Sequence, residues 1–234
     1  MCGRFAVTTD PARLAAQIDA VDETGGAVRG PNYNIAPTAD VAAVVARHDE
    51  PDDEATRRLR LMRWGLLPPW VKEGARPLIN ARSETVTTSP AFRAAAKRRR
   101  CLVPMDGYYE WQRNPDDAKG RKTPYYFSRT DGSPLLVAGL WEPAESVLTF
   151  SVITTAAVGP VAAVHDRMPL ILGERDWDRW LDPDEAAPED LLATPPDISV
   201  LAIREVSTLV NRVANNGPEL LEPVRSDNQP VGLF

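Results

Sequence analysis

The chain has 234 residues, 43% hydrophobic and 26% charged, ordinary values for a globular protein with a substantial core. Its longest apolar runs, "VAAVVA" and "LLVAGLW", are too short to span a bilayer, and residues 1–25 lack the basic start and apolar stretch of a secretory signal. The net charge of −6 argues, as an average, against nucleic acid.

A soluble, cytoplasmic protein is therefore expected. Two cysteines, Cys2 and Cys101, make no disulfide framework, in keeping with a reducing compartment. The charge is uneven. Acidic residues gather in "RHDEPDDEATRR", "NPDDAKG" and "DPDEAAPED", stretches that read as surface loops. Between Leu61 and Trp111 there are nine Lys or Arg against four Asp or Glu, so an acidic average hides a basic segment. Only four of the 27 basic side chains are lysine, which leaves mostly guanidinium groups, suited to phosphate.

In chain order, "MCGRF" comes first. Residue 2 is small, so removal of Met1 would leave a cysteine with a free amine and a thiol on adjacent carbons, with pKa values of about 8 and 8.5. Such a pair condenses with an aldehyde to an imine, and the thiol then closes a five-membered thiazolidine. The competing reading of Cys2 is a small buried hydrophobe. "DPARLAAQID" predicts a short helix with Asp10 as cap, Pro11 in the first turn, and Leu14 and Ile18 on one face. His48, in the first acidic stretch, reads as solvated. "RWGLLPPW" sets Trp64 and Trp70 around a rigid diproline beside Arg63, either as core or as a stacking platform for bases of a single strand.

"INARSET" alternates Asn80, Arg82 and Glu84 with smaller residues, so an extended backbone puts them on one face. There an amide and a guanidinium would orient a substrate and hold a phosphate, unless the strand is merely solvated. "SPAFRAAAKRRR" predicts a helix opening at Ser89 and Pro90 and closing in a cationic turn. "RCLVPM", "GYYEW", "PYYFSR", "LLVAGLW", "VLTFSVITT" and "ISVLAIREV" predict strands. Glu110, between Tyr109 and Trp111 in a buried strand, is a candidate for proton transfer or a partner for an arginine. His165 in "HDRMP" is a candidate acid or base, or a structural histidine. "GERDWDRWLD" sets Trp177, Trp180 and Leu181 at helical spacing. Two histidines and two distant cysteines supply no ligand cluster, so no metal and no cofactor is expected. Strands with interspersed helices and no βαβ alternation predict an α+β fold, and no linker divides residues 1–234.

The blocks "MCGRF", "NYNIAPT", "RWGLLPPW", "INARSET", "RRCLVPMDGYYEW", "TPYYF", "AGLWE", "FSVITTAA" and "HDRMPLIL" occur in the order found in the SRAP (SOS response-associated peptidase) family. The chain resembles these abasic-site-processing proteins from residue 2 to about residue 215. The resemblance implies a single domain with a strongly twisted, barrel-like, mainly antiparallel sheet, flanking helices and a groove for single-stranded DNA. It implies covalent capture of abasic sites by a processed N-terminal Cys2, with associated peptidase and lyase activity. Carried over by motif, Cys2 is the nucleophile and Asn80 positions the cysteine and the opened sugar. Glu110 and His165 move the protons, Arg4 and Arg82 grip flanking phosphates, and Trp70 belongs to a stacking wedge. A monomer, associated with the nucleoid during DNA damage, is expected. Two other function classes compete: a cysteine peptidase using Cys2 on peptides, and a non-covalent binder of single-stranded DNA.

Overall fold

Most of the long strands bury both faces, so successive apolar side chains along them enter two different clusters. The computed structural model describes residues 2–28, 30–50, 52–71, 74–114 and 120–224. Met1 and residues 115–119 of the acidic stretch "NPDDAKG" lie outside the described residues.

The first elements are β1 (Phe5–Val7), α1 (Pro11–Gln17), β2 (Val21–Asp22), β3 (Asn32–Ile35), β4 (Asp40–Arg47), β5 (Thr56–Trp64) and β6 (Asn80–Arg82). Next come α2 (Arg93–Arg98), β7 (Arg100–Met105), β8 (Gly107–Arg113), β9 (Lys122–Arg129), β10 (Leu135–Ala144) and β11 (Val147–Ala156). The last are α3 (Gly159–Ala162), β12 (Arg167–Pro169), α4 (Trp177–Leu181), α5 (Glu189–Ala193) and β13 (Leu201–Glu205).

Antiparallel pairing runs from β12 through β11, β10, β7 and β4 to β5. A parallel contact between β11 and β5, with Phe150 opposite Trp64, closes β11, β10, β7, β4 and β5 into a five-stranded barrel. β2 and β6 add parallel partners to β5 and β11. A second, antiparallel sheet runs in the order β13, β9, β8, β1, β3. The fold is α+β, a barrel-like, mainly antiparallel sheet with flanking helices, as the sequence predicts.

In β4, Val41, Ala43 and Val45 face one apolar cluster while Ala42 and Val44 face another. In β7, Cys101, Val103 and Met105 separate from Leu102 in the same way. The first cluster is completed by Phe5, Tyr108 and Phe127 of the second sheet. The other is covered by Leu14 and Ile18 with α1, Ala95 and Ala96 of α2, Trp180 and Leu181 of α4, and Leu191 and Leu192 of α5. Each such side chain, once buried, contributes about 1.5–3 kcal/mol if it is the size of leucine or phenylalanine. Burial on both faces is why these strands read as unbroken apolar runs.

The helix α1 follows its prediction: Asp10 Oδ1 accepts from the Ala12 and Arg13 N–H groups at 3.0 and 3.3 Å, and Leu14 and Ile18 are buried. The helix expected from Ser89 and Pro90 begins only at Arg93. Ser89 instead ends a run of turns, its carbonyl accepting from the Phe92 and Arg93 N–H groups, and buried Val86 and Phe92 anchor that run. The cationic close of α2, Lys97 and Arg98, is present. Arg100, at the start of β7, is buried; its guanidinium donates to the carbonyls of Trp180, Ala96, Asp182 and Glu185. That fork fastens the α4–α5 segment to the barrel.

Candidate active site

The start of the chain is led into the core by β1, which pairs with β3 on one side and β8 on the other. Asp106, between β7 and β8, accepts from the Thr8 N–H at 2.6 Å and from the Thr8 hydroxyl at 2.5 Å. The Tyr109 N–H donates to the Arg4 carbonyl at 2.9 Å. With both ends of β1 tied, Cys2 is fully buried among Phe5, Trp64, Tyr108 and Phe127. Cys2 and Cys101 are both free thiols.

β6 is held against β11 in parallel, Asn80 opposite Val152. Ala81 points into the helix-covered cluster, so Asn80 and Arg82 take the opposite face. Asn80 Nδ2 donates to the Cys2 carbonyl at 2.9 Å. Asn80 Oδ1 is buried with no hydrogen-bond partner among the described residues. Arg82 is exposed. Glu84 leaves this face: beyond Arg82 the backbone turns, and Glu84 pairs with Arg167, whose guanidinium also donates to the Thr154 carbonyl at 2.6 Å. That pairing, with its hydrogen bond, holds the Glu84 carboxyl below the usual range and leaves it a structural group.

Alternation along β8 sorts its side chains. Tyr109 turns away from Cys2, packs at 4.8 Å on Tyr126 and donates its hydroxyl to the Tyr33 carbonyl at 2.7 Å. Tyr108 and Glu110 take the other face, with Cys2. Both are buried, and Tyr108 stacks on Phe127 at 4.7 Å. Burial raises the Glu110 carboxyl above its usual pKa, and the charge of His165 works against that rise. Burial likewise pushes the Cys2 thiol far up; Glu110 adds to the rise, and an Arg4 N–H hydrogen bond opposes it. The Tyr108 phenol is raised by burial and by the nearby charges of Cys2 and Glu110.

His165 follows α3, its N–H bonded to the Val161 carbonyl at 3.1 Å. Its Nδ1 accepts from the Arg167 N–H at 2.9 Å, which fixes the ring. Gln112 Nε2 donates to the Ala163 carbonyl at 2.8 Å and ties this loop to β8. Cys2, Asn80, Glu110 and His165, scattered in sequence, are thus gathered in one place. The arrangement offers a buried sulfur, an amide on its backbone, a carboxyl whose proton burial holds more tightly than water would, and an imidazole within electrostatic reach.

The remaining candidates lie around it. Trp70 is 66% exposed on a loop closed by paired Leu66 and Leu78. Gly65 opens that loop at φ +127°, where a Cβ would sit 2.6 Å from Pro77 Cβ. Trp64 is core, fully buried, with its indole N–H on the Ile79 carbonyl at 2.9 Å. Arg4 donates from Nη1 to Asn34 Oδ1 at 2.7 Å and to the Val210 carbonyl at 2.9 Å, beneath the Trp111 ring. His48 bonds the Asp53 carbonyl and Asp184 on an acidic surface. Tyr108 was missed as a site residue, although its two-residue offset from Glu110 places both on one face. Among the described residues no group of three or more His, Cys, Asp or Glu could hold a metal, and no helix is long and apolar enough to cross a membrane.

The family model for "SOS response associated peptidase (SRAP)" matches residues 1–213. The chain is similar to abasic site processing protein YoaM of Bacillus subtilis, 35% identical over 231 residues that cover 95% of this chain and 98% of that one. It is also similar to abasic site processing protein HMCES of Xenopus tropicalis, 32% identical over 96% of this chain and 78% of that one. A crystal structure of a Bacteroides thetaiotaomicron protein shares the fold with a TM-score of 0.79 at 22% identity, covering 96% of this chain and 100% of that one. A phage-related protein of Bordetella bronchiseptica matches with a TM-score of 0.68 at 27% identity, covering 88% and 94%. The chain belongs to the SOS response associated peptidase family.

Proposed function

We propose that this chain processes abasic sites in single-stranded DNA by trapping the ring-opened sugar on Cys2 as a thiazolidine after Met1 is removed. The observation that carries this reading is the convergence of Asn80, Glu110 and His165 on Cys2, together with relatives named abasic site processing proteins. Met1 removal is the step to which we assign the peptidase activity of the family's description.

The chemistry balances with these groups alone. The freed amine attacks the aldehyde carbon to give a carbinolamine. Glu110, which burial keeps protonated to higher pH, gives its proton to the departing hydroxyl, and water leaves an iminium. The resulting carboxylate takes the thiol proton as sulfur bonds to the iminium carbon, and the C=N pair returns to nitrogen. His165 carries the proton from the sugar's anomeric hydroxyl to its ring oxygen as the ring opens. Asn80 holds the Cys2 carbonyl, so amine and thiol keep one orientation throughout. Exposed Arg82 and the guanidinium of Arg4 meet phosphates, and Trp70 stacks on a base. In this reading the chain acts as a monomer in the cytoplasm, at the nucleoid during DNA damage.

The test is incubation with an abasic single-stranded oligonucleotide followed by denaturing electrophoresis, with the intact mass of the purified protein measured in parallel. A heat-stable shifted band in wild type that vanishes in Cys2→Ala, with a mass lacking Met1, is expected. No band, or an undiminished band in Cys2→Ala, would refute the reading.

A further inference from the structure

The Tyr108 hydroxyl, in the same cluster as Cys2, and Oδ1 of Asn80, whose amide holds the Cys2 carbonyl, are buried without a hydrogen-bond partner among the described residues. Leaving a buried hydroxyl unsatisfied is unfavourable in a protein interior, and such groups are few in native folds. The neighbouring Tyr109 shows the ordinary outcome, its hydroxyl bonded to the Tyr33 carbonyl. The two orphans have complementary character. The amide oxygen only accepts, whereas the phenol donates readily. A hydroxyl group brought between them would donate to one and accept from the other.

Opening the ring of an abasic deoxyribose creates such a group. The aldehyde appears at one end, and the former ring oxygen becomes a new hydroxyl on the fourth carbon, which intact nucleotides lack. The aldehyde oxygen is lost as water in thiazolidine formation, so it makes no lasting demand on the pocket. The released hydroxyl stays.

We propose that the Tyr108 hydroxyl is a recognition group that hydrogen-bonds the hydroxyl freed when the abasic sugar opens, opposite Asn80 Oδ1. This rests on the capture reading above. The Tyr108 ring is stacked on Phe127, and its backbone lies opposite Phe5 of β1, so the donor is held by the core.

Tyr108→Phe removes one oxygen and keeps the stack. Its capture rate on abasic oligonucleotide should fall about tenfold, the loss expected for one hydrogen bond, with a Tm equal to or above wild type. Formaldehyde, an aldehyde without a sugar, should give the Cys2 thiazolidine at the wild-type rate in the same variant, read by intact mass. Equal capture of the oligonucleotide by variant and wild type would overturn the proposal, as would a lowered Tm or an equal slowing with formaldehyde. Absence of any adduct in wild type would instead sink the capture reading itself.

Discussion

Glu110 holds its proton to higher pH than a carboxyl in water, because its charged form is denied solvent. The folded chain therefore binds that proton more tightly than the unfolded chain. Its stabilising contribution is complete below the ordinary glutamate pKa of about 4.3 and is lost as pH rises through the raised value. Glu110→Gln should slow adduct formation by about 100-fold or more, the usual worth of a positioned acid–base group. The same variant should exceed wild type in Tm by a margin that widens from pH 4 toward pH 8; a margin constant with pH would count against the buried carboxyl. The candidacy of Cys2 was legible in the sequence because it rests only on residue type and position. The pairing of Glu84 with Arg167 was not, since 83 positions separate them and an extended reading of "INARSET" cannot show that the backbone turns after Arg82. The orphan state of Tyr108 was equally hidden, for alternation gives a face but no partner.

Elements were legible where both faces are apolar. β7 and β10 announce themselves as largely unbroken apolar runs, whereas β5, "TRRLRLMRW", carries four arginines and offers no such signal. Those arginines are neutralised from elsewhere: Arg57 by Asp178, Arg58 by Glu23 and Asp49, Arg60 by Glu23, and Arg63 by Asp40. Of these, Arg63 belongs to the basic surplus seen beyond Leu61, and its charge is held by Asp40. The Trp70 loop depends on its hinge. In Gly65→Ala a methyl group would press on Pro77 Cβ in a backbone conformation that L-residues avoid, so a loss of about 1–3 kcal/mol in stability is expected, measured by denaturant unfolding. Binding of single-stranded DNA should weaken with it. Unchanged stability would mean that the loop relaxes without strain.

Across the whole molecule, a net charge of −6 leaves the proposed DNA binding to a few local cations. Each phosphate neutralised on a single strand adds about 0.7 to the slope of log affinity against log salt. Arg82→Ala should lower that slope by about 0.7 with an unchanged Tm, read by fluorescence anisotropy across a salt series; an unaltered slope would remove Arg82 from the interface. The sorting of β8 carries a further consequence for how this chain can vary. Because Tyr108 and Tyr109 differ only in which way they face, inserting or deleting one residue between Asp106 and Tyr108 would exchange their places. The bonded phenol would then line the reactive chamber and Glu110 would be expelled from it. Evolution and engineering alike can change letters in this strand, but its count is frozen.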